Sequence, residues 1–308
     1  MKSGFLNILK PPGMTSHNVV AFVRHLAGKK AKVGHLGTLD PGAAGVLALA
    51  IGQATRLIDY LPAARKKYIA EAVFGFETHT LDCEGEITSR CGPGVADITA
   101  ESVKAACCKL SGDIMQVPPN MSALHLNGQR CYDLVRKGCD FSLPPRPVTI
   151  HKLEMTQFYE SGAFEPCLPD YAGGAGKADG LCGMRLEVEC SQGTYIRSLI
   201  RDIGYELGNL ATMTFLLRTS SGVFDIAEAL PLEDVRQRGL DSVIIPMPDV
   251  LERCGASRLQ CPQGAVRGYE FRASVPDGLV SLECNGKFCG IGLAANGKVK
   301  VERALLEE

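Results

Sequence analysis

The spacing of apolar residues changes several times along the first 60 positions, and each change predicts a different element. Residues 5–9 alternate weakly between apolar and polar positions, which indicates a strand. Apolar residues between positions 19 and 27 follow helical spacing, with Ser16 as a candidate N-cap and Gly28 as a C-terminal stop. The uninterrupted apolar run 46–51, closed by a glycine, is typical of a buried strand.

In the central part of the chain, segments with helical spacing of apolar residues alternate with segments typical of strands. The pattern predicts, in order, a short helix over 53–61, a strand over 68–74, a helix capped by Thr99 and running to 110, strands over 148–159 and 184–190, and helices over 196–207 and 232–238. Thr194 is the candidate N-cap of the helix over 196–207, and Gly208 ends it. Segment 161–183 is rich in Gly, Pro and Ala and is predicted to be an irregular connection. Its glycines do not follow the strand-then-helix order of a phosphate loop, so we expect no nucleotide binding there.

From about residue 250 the pattern becomes a series of strand-sized runs. Asn-Gly pairs at 285–286 and 296–297 separate these runs, and Asn-Gly between apolar alternations favours a β-hairpin. The sequence therefore predicts two domains, a large one over 1–248 and a small antiparallel β module over 249–308.

Composition narrows the class of protein. With 45% hydrophobic and 22% charged residues, the 308-residue chain fits a soluble globular protein. The net charge of −1 means that any nucleic-acid site must be a local basic patch. Thirteen cysteines include no Cys-x-x-Cys pair, and the chain lacks both a signal-peptide core and an apolar run of membrane length. We therefore expect a cytoplasmic protein with reduced cysteines.

The most unusual stretch is residues 34–45, Gly-His-Leu-Gly-Thr-Leu-Asp-Pro-Gly-Ala-Ala-Gly. Its glycines give the backbone freedom, and Pro41 restricts the conformation of the residue before it, Asp40. One carboxylate is thus held in a loop of small residues that leaves room for a bulky group. Asp-Pro-Gly is also ordinary turn chemistry, so the loop by itself leaves a purely structural role open.

The same stretch resembles the GHxGTLDPxAxGVL signature of the TruB family of tRNA pseudouridine synthases, and two further motifs extend the resemblance. Residues 10–20 match KPxGxTSxxxV, and residues 193–197 match GTYIR. The resemblance covers nearly the whole chain. It implies the pseudouridine synthase fold, an α+β fold with a mixed, mainly antiparallel central sheet flanked by helices, and a PUA-like RNA-binding module at the C-terminus.

Family membership would assign roles to six residues. The resemblance makes Asp40 the catalytic residue, pairs it with Arg197 and puts Tyr195 at the uracil ring, where it could act as the base. It also implies that Tyr68 stacks on the uracil, that His35 helps to displace the nucleotide and that Leu216 lines the pocket, although Leu216 is equally typical of plain core. Independently, Arg197 lies in the first turn of a predicted helix, where a cation is unfavourable, so an acidic partner from elsewhere is expected.

Basic residues on three predicted loops or turns are candidates for binding the RNA backbone. They are Lys10, Lys29, Lys30, Lys32, Arg136 and Arg146. The resemblance implies that segment 124–150 is a mobile loop that clamps RNA, but a solvated loop with ordinary charges is an equally open interpretation. The chain departs from the family at His79, in the pattern T-D-T-x-D, and at Met121, in QxPPxYSA.

The predicted reaction isomerises uridine to pseudouridine at position 55 of the tRNA T-loop. It consumes no water and changes no redox state, so we expect neither metal, nucleotide nor flavin, and we expect a monomer that binds the tRNA T-arm. A glycosidase is one alternative, but that chemistry generally needs two carboxylates and the loop offers one. An RNA-binding or tRNA-folding chaperone with weak or no catalysis is another, because of His79 and Met121.

Overall fold

The computed structural model describes residues 2–28, 30–92, 97–126, 128–139, 141–160, 181–262 and 266–305. The strands within those ranges are β1 Gly4–Lys10, β2 Val33–His35, β3 Ala44–Ile51, β4 Lys66–Phe74, β5 Phe76–Thr78, β6 Ile87–Arg90, β7 Gly112–Gln116, β8 His125–Leu126, β9 Gln129–Arg130, β10 Arg146–Tyr159, β11 Gly183–Cys190, β12 Ala211–Ser221, β13 Phe224–Asp225, β14 Ser257–Gln260, β15 Glu270–Arg272, β16 Gly278–Cys284, β17 Lys287–Ala295 and β18 Lys298–Ala304. The predicted connection over 161–183 lies largely outside the described residues.

The α-helices are α1 Ser16–Ala27, α2 Ala100–Lys109, α3 Cys131–Arg136, α4 Ile196–Glu206, α5 Leu232–Arg238, α6 Leu240–Val243 and α7 Met247–Arg253. The predicted short helix over 53–61 is instead two 3-10 turns, Gly52–Arg56 and Ile58–Tyr60. The cap prediction at Ser16 is wrong by one residue, since the hydroxyl of Thr15 accepts the Asn18 N–H and caps α1. Thr99 caps α2 as predicted, in a capping box with Ser102.

The chain forms two compact units. The first contains residues up to Pro41, Gly45–Ala64 and the chain from Ser221 onward; the second contains Gly42–Ala44 and Arg65–Ser220. In the first unit, β3 pairs antiparallel with both β1 and β2. One apolar cluster joins α1 to alternate residues of β1 and β3, including Val19, Leu6 and Leu47.

A second cluster covers the other residues of the same two strands. Phe5 and Val46 pack there with Val250 of α7, and with Phe288 and Ile291 of β17. Both faces of β3 are therefore buried, which is why the run 46–51 shows no polar alternation.

The C-terminal strands form a five-stranded sheet in the order β14-β16-β17-β18-β15. β14 runs parallel to β16, and the other neighbours pair antiparallel. Both predicted hairpins are present, with Asn285 and Asn296 at φ of 52° and 53° and their glycines also at positive φ. The predicted β module is therefore confirmed as a sheet, although its β14–β16 pair is parallel rather than antiparallel.

In the second unit the strands follow the order β12-β4-β11-β10-β7. β4 pairs with β11, β11 with β10 and β10 with β7, all antiparallel. The helices α2 and α4 belong to this unit. The predicted α+β class, with mainly antiparallel strands and flanking helices, is confirmed. Within the described ranges no helix is both long enough and apolar enough to cross a membrane.

The C-terminal half of α4 lies very close to the start of β12. A Cβ added at Gly204 would be 2.8 Å from the Ala211 nitrogen and 3.1 Å from the Leu210 carbonyl carbon. Glycine at a helical position usually costs about 0.5–1 kcal/mol relative to alanine. The close approach of the β12 main chain explains why glycine occupies position 204.

We expect Gly204→Ala to lower the free energy of unfolding by about 1–3 kcal/mol, because overpacking outweighs the gain in helix propensity. Urea denaturation followed by circular dichroism measures this change. Gly208→Asn is the matched control: Gly208 has φ of +64° with open space around it, and asparagine tolerates that conformation. A Gly204→Ala protein as stable as the wild type would contradict the close packing.

Candidate active site

Asp40 lies in the loop between β2 and β3, and the main chain on both sides of it is fixed. The Ser16 hydroxyl donates to the Leu39 carbonyl and accepts from the Leu39 N–H, each at 2.9 Å. Pro41, on the other side, accepts the Gly13 N–H at 2.9 Å. Ser16 and Leu39 are buried, whereas Asp40 is half-buried. The loop therefore presents one carboxylate from a backbone that other elements hold in place.

Lys10 contributes to the same arrangement from the end of β1. Its ammonium donates to the carbonyl oxygens of Pro11 at 2.8 Å and Pro41 at 3.0 Å, and the side chain is fully buried. This position does not fit the predicted contact of Lys10 with RNA phosphates. The motif at residues 10–16 instead supports the acid loop, since Lys10, Gly13 and Ser16 all bond to its main chain.

In the second unit, Arg197 lies in the first turn of α4 and is 5% exposed. Its guanidinium donates to the carbonyl oxygens of Thr80 at 2.7 Å and Met121 at 3.1 Å, and its Nε lies 3.7 Å from Asp82 Oδ2. An acidic group near this helical cation was expected from the sequence, and Asp82 is one such group. The pairing of Arg197 with Asp40 stays a prediction.

Asp82 is itself held by its own loop. Its Oδ1 accepts the Thr80 hydroxyl at 2.6 Å and the Glu84 N–H at 3.1 Å. Asp82 occupies the last position of the pattern T-D-T-x-D, in which His79 replaces the first Asp, and no role was predicted for it. Its retention beside the replaced His79 was the signal that could have identified it.

Tyr195 precedes α4, and its main chain is fixed by one side chain. Its N–H donates to Gln116 Oε1 at 2.8 Å, and its carbonyl accepts from Gln116 Nε2 at 3.1 Å. Gln116, at the end of β7, is 1% exposed and was not predicted to matter. The predicted Thr194 cap is wrong, because the Thr194 hydroxyl donates back to the Ser191 carbonyl.

The predicted substrate-binding residues occupy strands of both units. Tyr68 of β4 and Leu216 of β12 are buried on neighbouring strands of the second unit. His35 ends β2 in the first unit and is half-buried. Within the described residues, no group of three or more His, Cys, Asp or Glu side chains is arranged to hold a metal ion.

Comparison with known proteins places these motifs in one family. The model of the TruB family pseudouridylate synthase N-terminal domain matches residues 24–196, and that of the tRNA pseudouridylate synthase B C-terminal domain matches residues 197–252. The tRNA pseudouridine synthase B of Caldanaerobacter subterraneus subsp. tengcongensis is 38% identical over 306 residues, 97% of this chain and 98% of the relative. That of Carboxydothermus hydrogenoformans is 46% identical over 222 residues, 72% of this chain and 70% of the relative. The chain belongs to the TruB family.

Solved structures support the fold of this TruB-family chain. The crystal structure of a Cbf5-Nop10-Gar1 complex aligns with a TM-score of 0.65 at 23% identity, covering 98% of this chain and 84% of that one. An H/ACA RNP bound to a substrate RNA containing 2'-deoxyuridine aligns with a TM-score of 0.64, also at 23% identity, covering 99% of this chain and 85% of that one. At this identity the likeness concerns the fold alone.

The two departures from the TruB pattern have structural explanations. His79 Nδ1 accepts the Glu86 N–H at 3.0 Å, so the imidazole fixes its own turn between β5 and β6. Met121 contacts Arg197 through its main-chain carbonyl, which any residue would supply. Each position therefore makes a defined contact within the described residues.

The basic candidates differ in their surroundings. Lys30, Lys32, Arg136 and Arg146 are exposed, and the Arg136 guanidinium lies over the Tyr132 ring at 4.1 Å. Lys29 falls outside the described residues. The predicted clamping segment 124–150 contains β8, β9, α3 and the start of β10. Contact with RNA stays a prediction for these residues.

Lys66, for which no role was predicted, lies two positions before Tyr68 on β4. Lys66 begins β4 opposite Cys190 of β11. Burial lowers the pKa of Lys66, and the positive charge of the nearby Arg218 guanidinium acts in the same direction, so that together they bring this pKa to about 8. Burial has the opposite effect on the Cys190 thiol, whose pKa it raises to about 11. The protonated form of Lys66 is therefore disfavoured in the folded chain.

The lowered pKa of Lys66 predicts a pH-dependent stability. The unfolded chain binds more protons between about pH 8 and the ordinary lysine pKa of 10.5, so stability rises with pH across that window. We therefore compare the free energy of unfolding of Lys66→Met with that of wild type. The difference, variant minus wild type, should be most positive near pH 7 and should fall by up to about 3 kcal/mol by about pH 10. Urea denaturation at both pH values measures the difference.

Lys67→Met serves as the control, because Lys67 is exposed on the same strand. This variant controls for the loss of a lysine side chain from β4. A difference between wild type and Lys66→Met that is the same at both pH values would show that Lys66 ionises normally.

Proposed function

We propose that this TruB-family chain isomerises uridine to pseudouridine at position 55 in the T-loop of tRNA, with Asp40 as the nucleophile. The observation that carries the proposal is the half-buried carboxylate of Asp40 in a loop whose flanking peptide groups are held by Ser16, Lys10 and Gly13. A nucleophile on a fixed backbone needs little reorganisation when it attacks.

The reaction breaks the glycosidic bond between N1 and C1′ and forms a bond between C5 and C1′. Asp40 adds covalently to C1′ or to C6, and its bond breaks again before release. Tyr195 accepts the C5 proton, directly or through a water, and N1 ends protonated. Atoms and electrons therefore balance without a co-reactant.

Arg197 supplies the positive charge in this proposal. Its guanidinium stabilises the anionic form of Asp40 before attack. Support comes from its fixed position, because two carbonyl oxygens and Asp82 surround it within the second unit. A guanidinium held this way keeps its orientation when substrate enters.

Binding of the target nucleotide is assigned to the remaining predicted residues. Tyr68 stacks on the uracil, Leu216 lines the pocket and His35 fills the space that the nucleotide leaves in the RNA stack. Stacking of a base on an aromatic ring contributes about 1–3 kcal/mol, comparable to the few kcal/mol that extrusion costs. Exposed cations bind the backbone, namely Lys30, Lys32, Arg136 and Arg146, with Lys29 beside them in sequence.

The organisation proposed for the chain follows from these roles. Residues 1–248 carry the chemistry and residues 249–308 form a PUA-like module that binds RNA. The protein acts as a cytoplasmic monomer on the T-arm of tRNA.

We expect Asp40→Asn to reduce pseudouridine formation by at least about three orders of magnitude, because an amide cannot replace the nucleophile. An unmodified tRNA transcript is incubated with enzyme, and pseudouridine is mapped by nucleoside chromatography. The affinity for tRNA should stay close to that of the wild type. Asp59→Asn, an exposed acid in the same unit, is the control and should retain activity.

The same assay separates isomerase from the alternatives. An isomerase leaves the RNA mass unchanged and shifts the retention of one nucleoside, whereas a glycosidase releases free uracil. Full turnover by Asp40→Asn would reject the proposed nucleophile. Binding of tRNA without turnover by the wild type would favour the chaperone alternative.

A second variant tests how Arg197 is positioned. We expect Asp82→Asn to lower kcat about tenfold to a hundredfold, since interactions with charged groups contribute about 1.5–3 kcal/mol. Affinity for tRNA should not change, because Asp82 is buried. Single-turnover kinetics and filter binding measure the two quantities separately. Met121→Leu is the control, as only the Met121 carbonyl contacts Arg197, and an equal loss in both variants would argue against a specific role for Asp82.

A further inference from the structure

Two cysteine thiols meet in the C-terminal sheet, and neither cysteine is assigned a role in the reaction. Cys284 is the last residue of β16, and Cys289 lies in β17. Their sulfur atoms are 2.6 Å apart, which is closer than the van der Waals separation of two non-bonded sulfurs. A disulfide bond needs about 2.05 Å between the same atoms, so very little movement separates the two states.

The hairpin geometry brings these side chains together. Asn285 and Gly286 make the tight turn, and Cys284 pairs with Lys287. The register then shifts: Glu283 pairs with Phe288, whereas Leu282 pairs with Gly290, so Cys289 is the extra residue of a β-bulge. A bulge changes the direction of a side chain, and here it leaves the Cys289 sulfur against Cys284.

The two thiols differ in access to solvent. Cys289 is 7% exposed and its thiol also contacts the Leu282 carbonyl at 3.4 Å. Cys284 is half-buried, so a small reagent can reach it. One accessible thiol beside one buried thiol is the arrangement in which a first cysteine reacts and a second resolves the product.

We propose that Cys284 and Cys289 are a redox-active pair that a small-molecule disulfide oxidises reversibly to an intramolecular disulfide. The Cys284 thiolate attacks the small disulfide, forming a mixed disulfide and releasing one thiol. The Cys289 thiolate then attacks the Cys284 sulfur and releases the second thiol. Two protein thiols are oxidised, one external disulfide is reduced, and the protein loses two hydrogen atoms.

The bond would close a ring over residues 284–289 and tie β16 to β17. β17 contributes to two apolar clusters, through Phe288 and Ile291 on one side and through Cys289 and Ala294 on the other. Oxidation therefore locks the hairpin on which both clusters depend. This inference is independent of the proposed catalysis, because it uses none of the same residues.

The chain itself provides a direct test by peptide mapping. Trypsin cleaves after Arg272, Lys287 and Lys298, so Cys284 and Cys289 fall in separate peptides, 273–287 and 288–298, each with a single cysteine. Full-length protein is reduced, treated with oxidised glutathione, alkylated, digested without reductant and analysed by mass spectrometry. We expect the two peptides to be recovered linked, at two hydrogen atoms below their summed mass, and to separate on adding dithiothreitol.

Three outcomes would overturn the proposal. One is recovery of both peptides alkylated and unlinked, another is stable glutathione adducts on either peptide, and the third is a link to peptide 259–267, which would identify Cys261 as the true partner. The wild-type map alone decides among these outcomes, so the test does not depend on whether a variant folds.

Serine variants then assign the sulfurs. Cys284→Ser and Cys289→Ser should each lose the linked species, whereas Cys108→Ser, at an exposed cysteine of α2, should retain it. Circular dichroism of each variant checks the fold. Persistence of the linked species in either Cys284→Ser or Cys289→Ser would contradict the assignment.

Discussion

The structure depends on how side chains hold the main chain around Asp40. The Ser16 hydroxyl bonds to both polar groups of Leu39, and the buried Lys10 ammonium bonds to the Pro41 carbonyl. The peptide groups on either side of the carboxylate are therefore fixed from β1 and α1. An acid whose position must be reproducible gains from this support, because a held main chain limits where its carboxylate can lie.

The second unit uses the same kind of support. Gln116 holds the main chain of Tyr195 through a pair of hydrogen bonds, and the carbonyl oxygens of Thr80 and Met121 hold the Arg197 guanidinium. Because these acceptors belong to the main chain, the side chain at 121 can change without loss of the contact. This explains how the chain departs from the family pattern there.

Local sequence patterns correctly predicted many of the helices and strands, but they did not correctly predict every residue that caps a helix. The helical spacing after residue 19, the apolar run of β3 and the two Asn-Gly hairpins all formed as predicted. The caps at Ser16 and Thr194 did not, because each hydroxyl bonds to a different group. Ser16 in particular makes a tertiary contact, which a local capping rule does not include.

The sequence by itself determined the family, and through that resemblance the α+β class and the identity of the candidate acid, because the contiguous motifs that carry the resemblance are visible in the sequence. Only the tertiary structure decided that Lys10 is buried, that Asp82 accompanies Arg197 and that Cys284 meets Cys289. The first two depend on contacts between residues about 31 and 115 positions apart. The third depends on a β-bulge, and neither kind of feature leaves a local pattern in the chain.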